Sequence, residues 1–341
     1  MSSQAIWSGP PAQAQTGSPQ LCVAFLGPPS WLDGCAPTSG ADTALAEVEI
    51  APAGTGLAPA EVELATAPIA LSPAPIELAP AWIELGPGAD AEHVLARARA
   101  IDAEVTVVFD PASAPAALLR ELPGVTLGLH PRDSVDAELQ AVAGALDRVA
   151  SFFPALTGEQ AGPSQRLWRA IPPPVSDAVY ADVRRPQTAM QAMTVGRSTD
   201  HRERMLLEAK HHHDLLQVVH GVSGEPLIEL LREYDVGVYV SPRPGGAYGA
   251  QIGMHLAAGQ LLLTEAPTPA HGLERNIDYL YFDSPVGLVW TLDRLQRFPE
   301  MYHRIRVRGR LKAEQYRASR VFARIAHDLL ADVRAFGSPR S

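Results

Sequence analysis

Three glycines within five residues, Gly245, Gly246 and Gly249, interrupt two apolar runs in VGVYVSPRPGGAYGAQIGMHLAAGQLLLTE (236–265), a combination suited to holding an anion. The flanking runs read as buried strands and the small-residue stretch between them as a helix. In an open α/β sheet the loops at the carboxyl ends of strands face a crevice, and the next helix points its free N–H groups and positive dipole end there. Glycine lets the backbone approach a ligand; Gly253, Ala257, Ala258 and Gly259 are expected to let the helix lie close to the sheet. A second strand, glycine turn and helix, AMQAMTVGRSTDHRERMLLEAK (189–210), brings Gly196 and Arg197 to a strand end and Arg202 to the start of a helix. An arginine pair beside a helix N-terminus satisfies a diphosphate through charge-assisted, bidentate hydrogen bonds and neutralises it as a leaving group. Taken by itself, Arg202 equally suits an ion pair with Glu203 or Glu208.

These motifs resemble glycosyltransferases of the GT-B fold, in which a Glu-Gly-Phe-Gly run is followed by a second Glu and a small-residue helix. Laid on that pattern, Gly246 occupies the first Glu position, Tyr248 the aromatic, Gly249 the second glycine and Met254 the second Glu, so both carboxylates are missing. VGR followed by HRE resembles the group-1 and spore-maturation-protein-like branches, and a Leu-Leu-Thr-Glu run closing the site there matches Thr264 and Glu265. The resemblance implies a donor site of Gly196, Arg197, Arg202, Gly245, Gly246, Tyr248, Gly249, Gln251, Thr264 and Glu265, with Glu265 able to supply one absent carboxylate or simply to cap a helix or bridge the domains. It also implies a nucleotide sugar as substrate, no cofactor, and an acceptor that the sequence leaves unidentified.

Two further residues stand at strand ends that would face the same crevice. Asp110 follows VVF and precedes Pro111, and either deprotonates an acceptor hydroxyl or caps the next helix. His130 follows LGL and precedes Pro131; related transferases place a histidine at such a strand end against the donor sugar, and the alternative is a satisfied loop histidine. With inversion, Asp110 or His130 deprotonates the acceptor hydroxyl; with retention, the leaving phosphate does so. His211, His212 and His213 are consecutive on a helix and point in different directions, so they do not converge on one ion. No Asp-x-Asp occurs, and transfer is expected to proceed without metal. Arg306, on the C-terminal helix, is expected to lie outside the site, so that Arg306→Ala is nearly silent.

The elements that must position these groups alternate regularly. LCVAFLG (21–27) is a strand running into a turn-rich loop; helix ADAEHVLARARAI, strand EVTVVFDP, helix APAALLREL, strand VTLGLHP, helix DSVDAELQAVAGAL and strand RVASFFP follow. Such order argues parallel strands with helical crossovers. The prediction is α/β, two Rossmann-like domains in a GT-B-like arrangement with the donor cleft between them. The predicted division is a leader (1–20), an acceptor domain (21–170), a proline-rich connector (171–188), a donor-binding domain (189–315) and a C-terminal helix and tail (316–341). Residues 47–88 form a repetitive insert: VEI at Val48, VEL at Val62, IEL at Ile76 and IEL at Ile83 predict short strands or hairpins with a glutamate row facing water.

Composition restricts the classes. With 341 residues, 46% of them hydrophobic, the chain can build two α/β cores without staples, and Cys22 and Cys35 make neither a disulfide framework nor a zinc set. The N-terminal stretch lacks a secretory pattern and no apolar run spans a bilayer, which leads to an expectation of a cytoplasmic protein with no integral membrane segment. Through Ala170 the chain carries 7 basic and 19 acidic residues, a balance of −12, and beyond it +2. The acidic half repels nucleic acid, whereas the arginines of the other half suit a phosphate-bearing small molecule. A non-catalytic descendant of the fold, binding sugar, nucleotide or a protein partner, is the competing class.

Overall fold

The computed structural model describes residues 20–27, 77–84, 90–185, 190–219, 222 and 224–340. The leader, most of the repetitive insert, Cys35 and the Pro186 end of the connector lie outside them.

Two parallel sheets carry the fold. The first is built from β1 (Gln20–Gly27), β2 (Glu77–Glu84), β3 (Val105–Phe109), β4 (Val125–His130) and β5 (Arg148–Ser151). After a short antiparallel pair, β6 (Gln160–Gly162) and β7 (Gln165–Arg166), β8 (Arg169–Ala170) completes it in the order β2-β1-β3-β4-β5-β8. Helices α1 (Ala91–Ile101), α2 (Ala116–Glu121) and α3 (Ala137–Val142) make the crossovers. Strands such as VTVVF are buried along their whole length, as sheets covered on both faces require. At the end of the insert the short strands expected at Ile76 and Ile83 are one: ELAPAWIE is a single eight-residue strand, paired parallel to β1 in register Glu77↔Gln20 to Glu84↔Gly27. It is an edge strand, which is where Pro80, lacking an N–H, can be accommodated.

The second sheet has the order β10-β9-β11-β12-β13, all parallel. Its strands are β9 (Ala192–Val195), β10 (Leu216–Val218), β11 (Val236–Tyr239), β12 (Leu261–Thr264) and β13 (Leu280–Tyr281). Helices α4 (Asp200–His212), α5 (Gly224–Glu233), α6 (Ala250–Ala257), α7 (Pro285–Arg297) and α8 (His303–Ala313) surround it, and α9 (Ala318–Phe336) ends the chain. From β9 the chain goes first to β10 on one side and then to β11 on the other. The strand order therefore reverses between β9 and β11, and a crevice opens outside their carboxyl ends. The two glycine turns, after β9 and after β11, are the two loops at that reversal.

Packing ties the halves together. Helix α9 returns to the first sheet, where Phe322 meets the ring of Phe25 edge-on at 4.7 Å and that of Phe109 at 6.1 Å. Val321, Ile325 and Leu329 share that core with Val23, Val107 and Leu129. The glycines of α6 act differently from expectation. A Cβ on Gly253 would lie 2.7 Å from Val175 of the connector, and one on Gly259 3.0 Å from the Asp182 carbonyl, so both make room for the connector. The close approach of α6 to the sheet comes from the strand instead: a Cβ on Gly237 would sit 2.4 Å from the His255 ring.

Arg306 is a clear correction. Only 2% exposed, it donates through Nε to the Gly259 carbonyl at 2.5 Å and through Nη2 to Asp235 at 3.3 Å. An arginine count cannot distinguish this strut from the exposed arginines on the same helix.

Candidate functional site

The loop after β9 leaves the sheet at Gly196, whose φ of +139° is open to glycine and whose missing side chain makes room for Arg202. Thr199 then caps α4, its hydroxyl accepting from the Arg202 N–H at 3.3 Å. The Arg202 side chain is buried. Its Nε donates to the Val240 carbonyl at 2.8 Å and Nη1 to the Arg197 carbonyl at 2.8 Å, so it bolts the two glycine-bearing loops together. Two of its three nitrogens are spent on backbone, a use that neither the ligand nor the Glu203/Glu208 reading foresaw. Glu203 instead binds Lys210 at 2.7 Å and Ser198 at 2.5 Å, contacts that pull its carboxyl down to about 2. Arg197 differs from Arg202: its side chain is exposed, and among the described residues no hydrogen bond or ion pair holds its guanidinium.

Glu265 is a second bracket. Its Oε1 accepts from His201 Nε2 at 2.9 Å and its Oε2 from the Ser241 N–H at 2.9 Å. Arg204 donates to His201 Nδ1 at 3.0 Å, which fixes the ring proton on Nε2, facing the carboxylate. Glu265 thus joins the ends of β12 and β11 to the first turn of α4. Thr264 is fully buried in β12 and does not reach the crevice.

The loop after β11 is pinned from below. Ser241 Oγ accepts from the Ala247 N–H at 3.1 Å, and the Tyr239 hydroxyl donates to the Ala247 carbonyl at 2.8 Å. Gly249 must lack a side chain because a Cβ would meet that hydroxyl at 2.4 Å. It caps α6 with no side-chain bond, and the N–H groups of Ala250 and Gln251 have no backbone acceptor among the described residues. Gly246 has φ +69°, and a Cβ there would lie 2.1 Å from the Ala266 carbonyl. The position aligned with a family glutamate is therefore one where this backbone admits only glycine. Gly246→Glu is expected to destabilise the fold by more than about 2 kcal/mol, through left-handed strain plus the clash, and to add no ligand affinity. Chemical denaturation beside a ligand titration checks it, and a stable, tighter-binding variant would contradict it.

A cavity of about 250 Å³ lies between the domains, lined by Pro131, Phe152, Phe153 and Pro173 on one side and Tyr248, Gly249, Ala250, Gln251 and His271 on the other. At the same junction Arg243 forms an ion pair with Asp133. The N-domain candidates are not among the lining residues. His130 is fully buried and binds the Ser134 carbonyl through Nε2 at 2.8 Å, stapling the turn after β4. Asp110 makes no side-chain cap to the turn after it and faces Arg132 at 3.4 Å. His211 and His212 are exposed while His213 is buried, so the three diverge.

His271 is the residue that sequence reasoning missed. It has a φ of +46°, unusual for a residue with a side chain, and its carbonyl accepts from the Tyr316 hydroxyl at 2.8 Å. Its ring stands edge-on to Tyr248 at 4.7 Å. Burial pushes its pKa down to about 4, opposed by a bond to the Phe152 backbone, so the imidazole is neutral at pH 7. The available signal was a His-Gly pair in the proline-bearing loop after a strand end.

His255, buried in α6, is pushed down to about 4 as well, by burial, against a hydrogen bond to Gln260. Both histidines have folded pKa values below the unfolded value near 6.5, so between about pH 6.5 and 4 the unfolded chain binds more protons. Their contribution is complete above that window and is lost as pH falls through it. Denaturant midpoints are expected to drop between pH 7.5 and 5; equal stability at both would contradict this.

No family model matches the chain, and no curated protein matches it. Among solved structures, it is similar to a glycosyltransferase from Rickettsia africae at 10% identity, covering 75% of this chain and 85% of that one with a TM-score of 0.50. Sucrose-phosphate synthase from Thermosynechococcus elongatus is similar over 72% of this chain and 77% of its own at 14% identity, TM-score 0.48. Anabaena HepE in complex with UDP is similar over 74% and 86% at 10% identity, TM-score 0.44. The likeness is one of fold: two parallel α/β domains in the GT-B arrangement.

Proposed function

We propose that this protein transfers a sugar from a nucleotide-sugar donor to an acceptor hydroxyl, without metal. The observation that carries the reading is the junction of β9 and β11: two glycine-bearing loops at a strand-order reversal, bolted by Arg202 and Glu265, beside an Arg197 that is unengaged among the described residues. The diphosphate is assigned to Arg197 and to the free N–H groups of Ala250 and Gln251, where charge-assisted hydrogen bonds and the helix dipole stabilise the departing anion. Arg202 and Glu265 hold the loops in place. The donor sugar is assigned to the backbone of Gly245 to Gly249, and the acceptor to the side of the cavity lined by Phe152, Phe153 and Pro173.

Asp110 and His130 do not line the cavity, and we assign the acceptor proton to the departing phosphate. A second reading is supported by Gly246: with no carboxylate in the loop, the site holds a nucleotide and does not turn it over. Incubation with uridine, guanosine and adenosine diphosphate sugars, with and without chelator, tests both. Release of nucleoside diphosphate at the same rate in chelator is expected. Loss of release in chelator with recovery in manganese would contradict metal independence, and binding without any release would select the second reading.

A further inference from the structure

We propose that the outer face of α7 is a self-association surface that takes a second copy of this chain. Among the described residues eight large apolar side chains are exposed. Four of them stand on α7 or the turn continuing it: Val286 (67%), Trp290 (55%), Phe298 (55%) and Met301 (47%). Exposed apolar residues scattered singly need no explanation, but a cluster marks an interaction site. Helical spacing makes the cluster a stripe. Val286, Trp290, Asp293, Arg294 and Arg297 fall at i, i+4, i+7, i+8 and i+11, one face of α7, while Leu288, Thr291, Leu292 and Leu295 occupy the opposite, buried face. The Arg294 guanidinium lies 4.5 Å from the centre of the Trp290 ring, and its Nη2 is 3.1 Å from Met301 Sδ, so the stripe is one continuous surface. Tryptophan, phenylalanine, methionine and arginine are the types enriched in protein interfaces.

Charge selects the occupant. An anionic membrane would favour a stripe of cations alone, on a chain that does not carry a net −10. This stripe carries Asp293 among Arg294 and Arg297; Asp293 Oδ1 lies 3.5 Å from His213 Nε2 of its own chain yet stays half exposed, so the stripe is complementary to itself. In an antiparallel pairing about a two-fold axis between positions 293 and 294, Asp293 of each copy opposes Arg294 of the other and Trp290 opposes Arg297. Val286 then points toward Met301 of the second copy. Such an isologous contact is the commonest form of assembly.

Sedimentation equilibrium of the full chain tests the surface. The parent is expected to be a dimer, and Trp290→Glu to weaken dimerisation by about 30-fold or more with an unchanged far-ultraviolet circular dichroism spectrum, as expected for an interface hot spot. Arg297→Glu, at an exposed position where refolding is not at issue, is expected to weaken it in the same direction. A parent that stays monomeric overturns the proposal, whether or not it sediments with anionic phosphatidylglycerol vesicles. So does a dimer that both variants retain at parental strength. Neither result depends on the transferase reading, because the surface lies on the outer face of α7 and the cavity between the domains has no residue from it.

Discussion

Arg306→Ala is expected to destabilise the protein by about 3–5 kcal/mol, the usual result of removing one partner from a buried ion pair. Arg306 and Asp235 are both almost completely buried, so among the described residues the truncation leaves the Asp235 carboxylate with only Arg184, at 3.8 Å and on the surface side. The Gly259 carbonyl loses its donor too, just where the chain turns from α6 into β12. Burial lowers the guanidinium pKa and Asp235 opposes that shift, the pattern of a charge kept in the interior by its partner. A loss of that size corresponds to roughly 6–20 °C in melting temperature, readable by calorimetry. A melting temperature within a degree or so of the parent would mean that this strut does not support the second domain.

Arg197→Ala is expected to do the reverse: leave stability unchanged and lower nucleoside diphosphate affinity. Its side chain is exposed and, among the described residues, unengaged, so no native contact is lost. Removing a charged hydrogen-bonding partner of a phosphate costs about 1.5–3 kcal/mol, or roughly one to two orders of magnitude in dissociation constant. Arg202→Ala separates the two arginines by mechanism. Arg202 holds the Val240 and Arg197 carbonyls, so its loss is expected to weaken binding together with stability. If Arg197→Ala binds as the parent does, the phosphate site lies elsewhere.

The sheets were legible in the sequence because buried parallel strands read as unbroken apolar runs. VTVVF, VTLGLH and LLLT were bounded by turn residues at the spacing that crossover helices require. The two glycine loops were legible for a related reason: positive φ at Gly196, Gly245 and Gly246 is a property of the residue type. Partner choice was not legible. Arg202 and Arg197 look alike five residues apart, and only the closeness of β11 to β9 decides that one is a bolt and the other is exposed. His130 and His271 differ on the same grounds. Each follows a strand end, but the turn after β4 folds the first under the Ser134 carbonyl, whereas the loop after β12 carries the second into the cavity. The glutamate-bearing repeats left strand and hairpin open because alternation fits both, and for residues 77–84 it is the pairing to β1 that decides.

A melting experiment with uridine, guanosine and adenosine diphosphates, run on the parent and on Arg197→Ala, tests the diphosphate site most directly. A ligand that binds only the folded state raises apparent stability by about 2.7 kcal/mol at a hundredfold excess over its dissociation constant. The parent is expected to melt at a higher temperature with at least one of the three, and the variant to shift much less at the same concentration. No shift of the parent with any nucleoside diphosphate would contradict it.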